Sequence, residues 1–129
     1  MKNYNKLVYQ HFFNSQAVGE FSKEVPHISV QVGQGSDTDR LQLQLQFTTH
    51  HKIKAARFKA YGNPYTVAAA SLLCELLPGL SLENAKLIRH TALQEPLEIP
   101  ITRRHSALLA EQALQTALQI YERGLVCTN

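Results

Sequence analysis

Residues 40–49 read RLQLQLQFTT, an apolar residue alternating with a polar one through the whole run. A period of two is that of a β-strand with one buried face, so Leu41, Leu43, Leu45 and Phe47 point to a core while Gln42, Gln44, Gln46 and Thr48 point to water. His50 and His51 make the turn that follows. A third strand then carries Ala56, Phe58 and Ala60 on its inner face and Arg57 and Lys59 outside. Ile53 is out of phase with that set, which predicts a bulge near Ala55. Upstream, Ile28, Val30 and Val32 alternate with Ser29 and Gln31 as a first strand, and residues 33–39 (GQGSDTD) have the composition of a sharply bending loop. Three strands joined in sequence order imply an antiparallel meander with a wet face of Gln, Lys and Arg.

The third strand runs straight into Gly62-Asn63-Pro64. Asn is a favoured helix N-cap and Pro is well tolerated at the first helical position, so Asn63 caps a helix that Pro64 begins. Residues 67–77 are apolar nearly all round, interrupted by Ser71, Cys74 and Glu75, which marks the central buried helix; Pro78-Gly79 ends it. Ser81 caps a shorter helix through about His90, with Leu82, Ala85 and Ile88 inward, and residues 94–100 form an extended connector punctuated by Pro96 and Pro100. In the last helix Ala110, Ala113, Leu114, Ala117, Leu118 and Tyr121 fall on one stripe, and Gly124 is placed to terminate it ahead of a fraying tail. Residues 5–13 (NKLVYQHFF) suggest a short first helix with Leu7, Val8, His11 and Phe12 on one face, ended by Asn14-Ser15. Strands come first and helices later, so the fold class is α+β: a three-stranded antiparallel sheet with helices packed on one face.

A length of 129 residues, 44% of them hydrophobic, fits one domain spanning 1–129. Lys and Arg outnumber Asp and Glu by 13 to 10, a charge of +3 and too weak a field to imply nucleic acid. Cys74 and Cys127 are far apart and form no CxxC, which indicates neither a disulfide framework nor a zinc ribbon and suits a reducing cytoplasm. Neither a secretory h-region nor a membrane-length apolar run occurs, so the expected protein is soluble and cytoplasmic.

Tyr4-Asn5-Lys6-Leu7-Val8-Tyr9, Val18-Gly19-Glu20-Phe21, Arg40-Leu41-Gln42-Leu43, residues 56–62 (ARFKAYG) and residues 105–113 (HSALLAEQA) together resemble one family. It is the IscU-type iron–sulfur cluster assembly scaffold, the same domain as the N-terminal part of NifU, and the resemblance runs in order through almost the whole chain. It implies the α+β fold already read, and a site where three loop or helix-start positions converge. Those positions are cysteines in the family and fall here on Gly35, Asn63 and Ser106. Cluster iron is held by thiolates, with His occasionally replacing some, so the side chains present do not support a [2Fe–2S] cluster held in the usual way. The family's modulating Asp falls on Asp37 and its site His on His105. Its chaperone-recognition segment, Leu-Pro-Pro-Val-Lys, falls on residues 99–103 (IPITR), which keep one Pro and the final positive charge.

Three functions follow as expectations. The first is a non-enzymatic relative of the scaffold that acts through protein partners of iron–sulfur assembly, the cysteine desulfurase foremost, with no cofactor of its own. The second is a protein holding a single Zn or Fe ion through Asp37 and His105, with Asp39 and Ser106 nearby. The third is a basic-surface binding module using Lys54, Arg57, Lys59 and the Gln row. His105-Ser106 is no hydrolytic triad, for want of an orienting third group. Cys74 reads as a small core residue.

Overall fold

The computed structural model describes residues 4–33 and 39–127, with the side chains of 125–127 outside the description. Three strands, β1 (Ile28–Val32), β2 (Arg40–Phe47) and β3 (Ile53–Tyr61), pair antiparallel in the order β1-β2-β3. Val30 lies opposite Leu43, and Leu43 opposite Phe58, which puts the apolar positions of all three strands on one face. The register slips between Gln46 and Phe47, whose partners are Ala55 and Ile53. Lys54 is therefore the extra residue, and the bulge returns Ile53 to the core face, where it is buried.

Helix α1 (Lys6–Phe13) begins at Asn5, whose side chain accepts from the Val8 N–H. It packs on α2 (Pro64–Leu76), and buried His11 Nδ1 lies 2.7 Å from Ser71 Oγ between them. Helix α2 covers β3, and α5 (His105–Cys127) covers β1 and β2, so both long helices occupy the same face of the sheet. Between them sit two five-residue helices, α3 (Leu82–Lys86) and α4 (His90–Gln94), and a 3₁₀ turn at Ile101–Arg103. The core contains the inward sheet residues, the Ala68-Ala69-Ala70 and Leu72-Leu73 runs of α2, and Ala107, Ala110, Ala113, Leu114, Ala117 and Leu118 of α5. No helix among the described residues is long and apolar enough to cross a membrane.

Four local expectations are corrected. The helix expected from Ser81 to about His90 stops at Lys86. Arg89 is extended, and a carboxylate on α5 starts the next helix: Glu111 Oε1 accepts from the His90 N–H at 2.6 Å. Residues 94–100 are not an extended connector. Leu93, Leu97 and Ile99 are all buried, and reaching the core with that spacing folds the chain into turns, with Glu98 at φ +51°. Gly124 does not end α5, which runs on to Cys127, because an exposed Gly costs a long helix only about 1 kcal/mol. Finally, Gln44 is not wet but 4% exposed. The segment after Val18 folds over the outer face of the sheet, and the Phe21 N–H donates to Gln44 Oε1 at 2.7 Å.

Gly33 ends β1 in a conformation that only glycine adopts readily, φ +80°, and a Cβ there would sit 2.3 Å from the backbone oxygen of Asp39. The close approach fixes where Asp39 enters β2. Gly33→Ala should lower stability by at least about 2 kcal/mol, measured by urea unfolding, since strain and clash act together.

Candidate functional site

The N-termini of α2 and α5 meet beside the start of β2. Asn63 caps α2 as its residue type predicts: Oδ1 accepts from the Tyr65 N–H at 2.8 Å and the Thr66 N–H at 3.3 Å. Pro64 follows at the first helical position. One turn on, the Thr66 hydroxyl faces the start of α5 and lies 2.8 Å from Ser106 Oγ. Asn63 Nδ2 donates to the same Ser106 oxygen at 3.3 Å. Thr66 and Ser106 are each 1% exposed, so both hydroxyls need partners within the protein, and each has one in the other.

Asp39 is the hub. Its Oδ1 accepts from the Asn63 backbone N–H at 3.1 Å, from Asn63 Nδ2 at 3.3 Å and from the Thr66 hydroxyl at 2.9 Å. Its Oδ2 accepts from His105 Nε2 at 2.7 Å. A carboxylate with two helix N-termini beside it lies where both helix dipoles favour negative charge. Burial alone would push the Asp39 carboxyl up. The hydrogen bonds from Thr66, His105 and Asn63, with the charge of His105, outweigh burial and hold it below the ordinary carboxylate range. Because an ionised carboxylate only accepts, Nε2 of His105 carries the hydrogen, and Nδ1 is the ring's other nitrogen on a half-exposed side chain.

The three helix-start residues singled out from sequence, Asn63, His105 and Ser106, are thus brought together. Gly35 and Asp37 lie outside the described residues. Two members of the network were not assigned their parts from sequence. The sequence suggests Asp39 only as an auxiliary metal ligand and gives Thr66 no part. The available signal was an Asp immediately before a strand and a Thr at the third position of a helix, where a hydroxyl faces the cap.

Soft metal chemistry finds little here. Asn63 Oδ1 and both Asp39 oxygens already accept hydrogen bonds, and the donors at Asn63 and Ser106 are hard. Among the described residues no group of three or more His, Cys, Asp or Glu is placed to hold a metal ion. Cys74 offers no replacement thiolate. It is 3% exposed, and burial pushes its thiol up to about 12 against a smaller downward pull from Arg57. The residues present do not fit an iron–sulfur cluster bound through the family's three positions.

Removing the cap alone measures how much of this network is structural. Asn63→Ala should cost about 1–2 kcal/mol by urea unfolding, the range for a lost Asn cap, and leave zinc affinity unchanged.

The outer, basic face is less open than its sequence suggests. Lys59 is paired with Glu20, and the Arg57 guanidinium lies 5.2 Å from the centre of the Phe21 ring.

A three-stranded antiparallel meander covered on one face by helices, with two helix starts converging beside β2, is the α+β arrangement expected from the sequence. The chain matches the NifU-like N terminal domain family over residues 3–128 and belongs to it. Among curated relatives, it is 34% identical over 120 residues to the iron-sulfur cluster assembly scaffold protein IscU of Escherichia coli (strain K12), covering 92% of this chain and 94% of that one. To the IscU of Azotobacter vinelandii it is 32% identical over 126 residues, covering 95% and 98%. A crystal structure described as a putative scaffold for the SUF system, from Fervidobacterium islandicum AW-1, superposes with a TM-score of 0.68 at 17% identity, covering 89% of this chain and 96% of that one. That likeness confirms the α+β fold.

Proposed function

We propose that this protein serves iron–sulfur cluster assembly as a scaffold relative that works through protein partners and not by building a cluster at the family's ligand positions. One observation carries the proposal: the polar network of Asp39, Asn63, Thr66, Ser106 and His105 occupies the meeting point of α2 and α5 with its own hydrogen bonds. Relatives at 32–35% identity are named as assembly scaffolds, which supports the pathway. The partner favoured is the cysteine desulfurase, which a scaffold without acceptor thiols would engage as a competitor, adaptor or regulator. It performs no catalysis of its own.

Two measurements test this. Anaerobic reconstitution with iron and sulfide should leave the protein colourless while a scaffold with its three cysteines develops visible absorption; a stable chromophore on this chain would reject the proposal. Calorimetry with a cognate desulfurase should show binding, and no heat where the three-cysteine scaffold binds would remove the partner.

A second use of the same site rests on the geometry of His105. Its Nε2–H is held by Asp39, the carboxylate–histidine arrangement that orients an imidazole toward a metal through its other nitrogen. Asp37 and His105 would then share a single Zn or Fe ion. Anaerobic zinc titration should show weaker binding in His105→Ala than in wild type; equal affinity would exclude that site.

A further inference from the structure

Helix α1 brings one titratable side chain into its contact with α2. His11 shares a helix face with Leu7 and Val8, so it turns inward with them, and its side chain is 7% exposed. Opposite it on α2 stand Ser71 and Glu75, one helical turn apart and therefore on one face. The ring lies between the two: Nδ1 is 2.7 Å from Ser71 Oγ, and Nε2 is 3.7 Å from Glu75 Oε2.

The hydroxyls beside the ring fix its tautomer. Ser71 has a single hydroxyl hydrogen and donates it to Ser15 Oγ at 2.8 Å, an oxygen that also accepts from the Ala17 N–H at 3.3 Å. Toward His11 the Ser71 oxygen can then only accept, so Nδ1 carries the ring hydrogen and Nε2 carries a lone pair. The ring is neutral at neutral pH, because burial pushes its pKa down more than Glu75 pulls it up. A ring nitrogen and a carboxylate oxygen therefore face each other with no hydrogen between them. Their separation is too long for a hydrogen bond. Every side-chain nitrogen or oxygen closed to solvent has a hydrogen-bond partner among the described residues, and Nε2 has none there, so Nε2 is open to solvent. A groove of about 580 Å³ runs along this side of α2, at the other end from Asn63, and both His11 and Glu75 line it.

We propose that His11 Nε2 and Glu75 Oε2 together bind one divalent transition-metal ion of the zinc type, which ties α1 to α2. Imidazole and carboxylate are both zinc ligands at about 2.0–2.2 Å, and two ligands of one tetrahedral ion sit about 3.3 Å apart. The Glu75 side chain, 70% exposed, can close the remaining few tenths of an ångström. The bond from Nδ1–H to Ser71 supplies the second partner that orients a metal-binding imidazole. Cys74 lines the same groove, but among the described residues no third His, Cys, Asp or Glu is placed to join the pair, so water completes the shell. The groove's two cations stand on its β3 wall. Arg57 Nη1 donates to the Ala56 carbonyl at 3.0 Å, and Lys54 is exposed; neither is ion-paired with Glu75 among the described residues.

The test is a titration of the ¹⁵N-labelled full chain with zinc chloride, read on the histidine ring nitrogens by long-range proton–nitrogen NMR. Before zinc is added, His11 should show a protonated Nδ1 and a bare Nε2. Zinc should then move the His11 Nε2 signal to saturation, while magnesium, which keeps oxygen ligands, leaves it in place. Glu75→Gln should weaken the His11 response at least about tenfold, the cost of losing even an outer-shell partner. The response should persist in His105→Ala, which separates it from the site beside Asp39. An Nε2 of His11 that zinc does not move, that magnesium moves equally, that keeps its affinity in Glu75→Gln or that loses its response in His105→Ala would overturn the proposal. So would a hydrogen on Nε2 in the metal-free chain. Each histidine gives its own signals, so the wild-type titration is decisive by itself should a variant fail to fold.

Discussion

Asp39→Ala should lower the stability of the chain by about 3 kcal/mol, the cost of stripping a buried acceptor from several donors at once. The Asn63 N–H, the Thr66 hydroxyl and His105 Nε2 all lose their shared acceptor, and the Thr66 hydroxyl is buried. Asp39→Asn should recover part of the loss, since its amide oxygen still accepts from the start of α2 while the ionic contact with His105 is gone. The pH dependence has a definite sign. The folded carboxyl titrates below its unfolded value, so it binds a proton less readily in the native state. Its contribution is therefore complete above the unfolded pKa of about 3.9, and is lost as pH falls from there through the lower folded value. Urea unfolding of wild type and Asp39→Asn should accordingly show a stability gap that is constant from about pH 6 down to about pH 4 and narrows as the pH falls further. A loss in Asp39→Ala below about 1 kcal/mol at neutral pH would mean that the network is not what holds α2 and α5 together here.

The second large effect is a gain. Placing cysteines at the three family positions together, Gly35→Cys, Asn63→Cys and Ser106→Cys, should give a stable visible chromophore on anaerobic reconstitution where wild type gives none. Thiolates are the ligands iron–sulfur clusters take, and the start of α2 beside His105 is a setting that lowers a thiol's pKa. The same changes remove the α2 cap and the Ser106 hydroxyl, so the variant should be less stable by about 2 kcal/mol. A folded triple variant that stays colourless would show that the missing thiols are not what sets this chain apart from its three-cysteine relatives. Gly35 lies outside the described residues, and its part in this experiment rests on the family resemblance.

Much of the fold was legible because periodicity is a local property. The alternation of residues 40–47 defined β2 and its inner face, the out-of-phase Ile53 announced the bulge, and Asn63-Pro64 marked the start of α2 to the residue. Two of the errors share one cause. Whether the chain near Arg89 restarts a helix depends on Glu111, more than twenty positions away on α5, and whether Gln44 is wet depends on Phe21 crossing above it. Neither partner can be read from the residues on either side.

At the candidate site the division is the same. From sequence alone come the side chains at Gly35, Asn63 and Ser106, none of them a thiol, and the resemblance to the family is what singles those positions out. What takes the place of the thiols belongs to tertiary structure. Asp39, Asn63, Thr66 and His105 are separated by up to 66 positions, and only the packing of α2 and α5 on one face of the sheet brings their donors around one carboxylate. Hydrogen bonds act over about 3 Å, so a network of them exists only where the fold has already closed that distance.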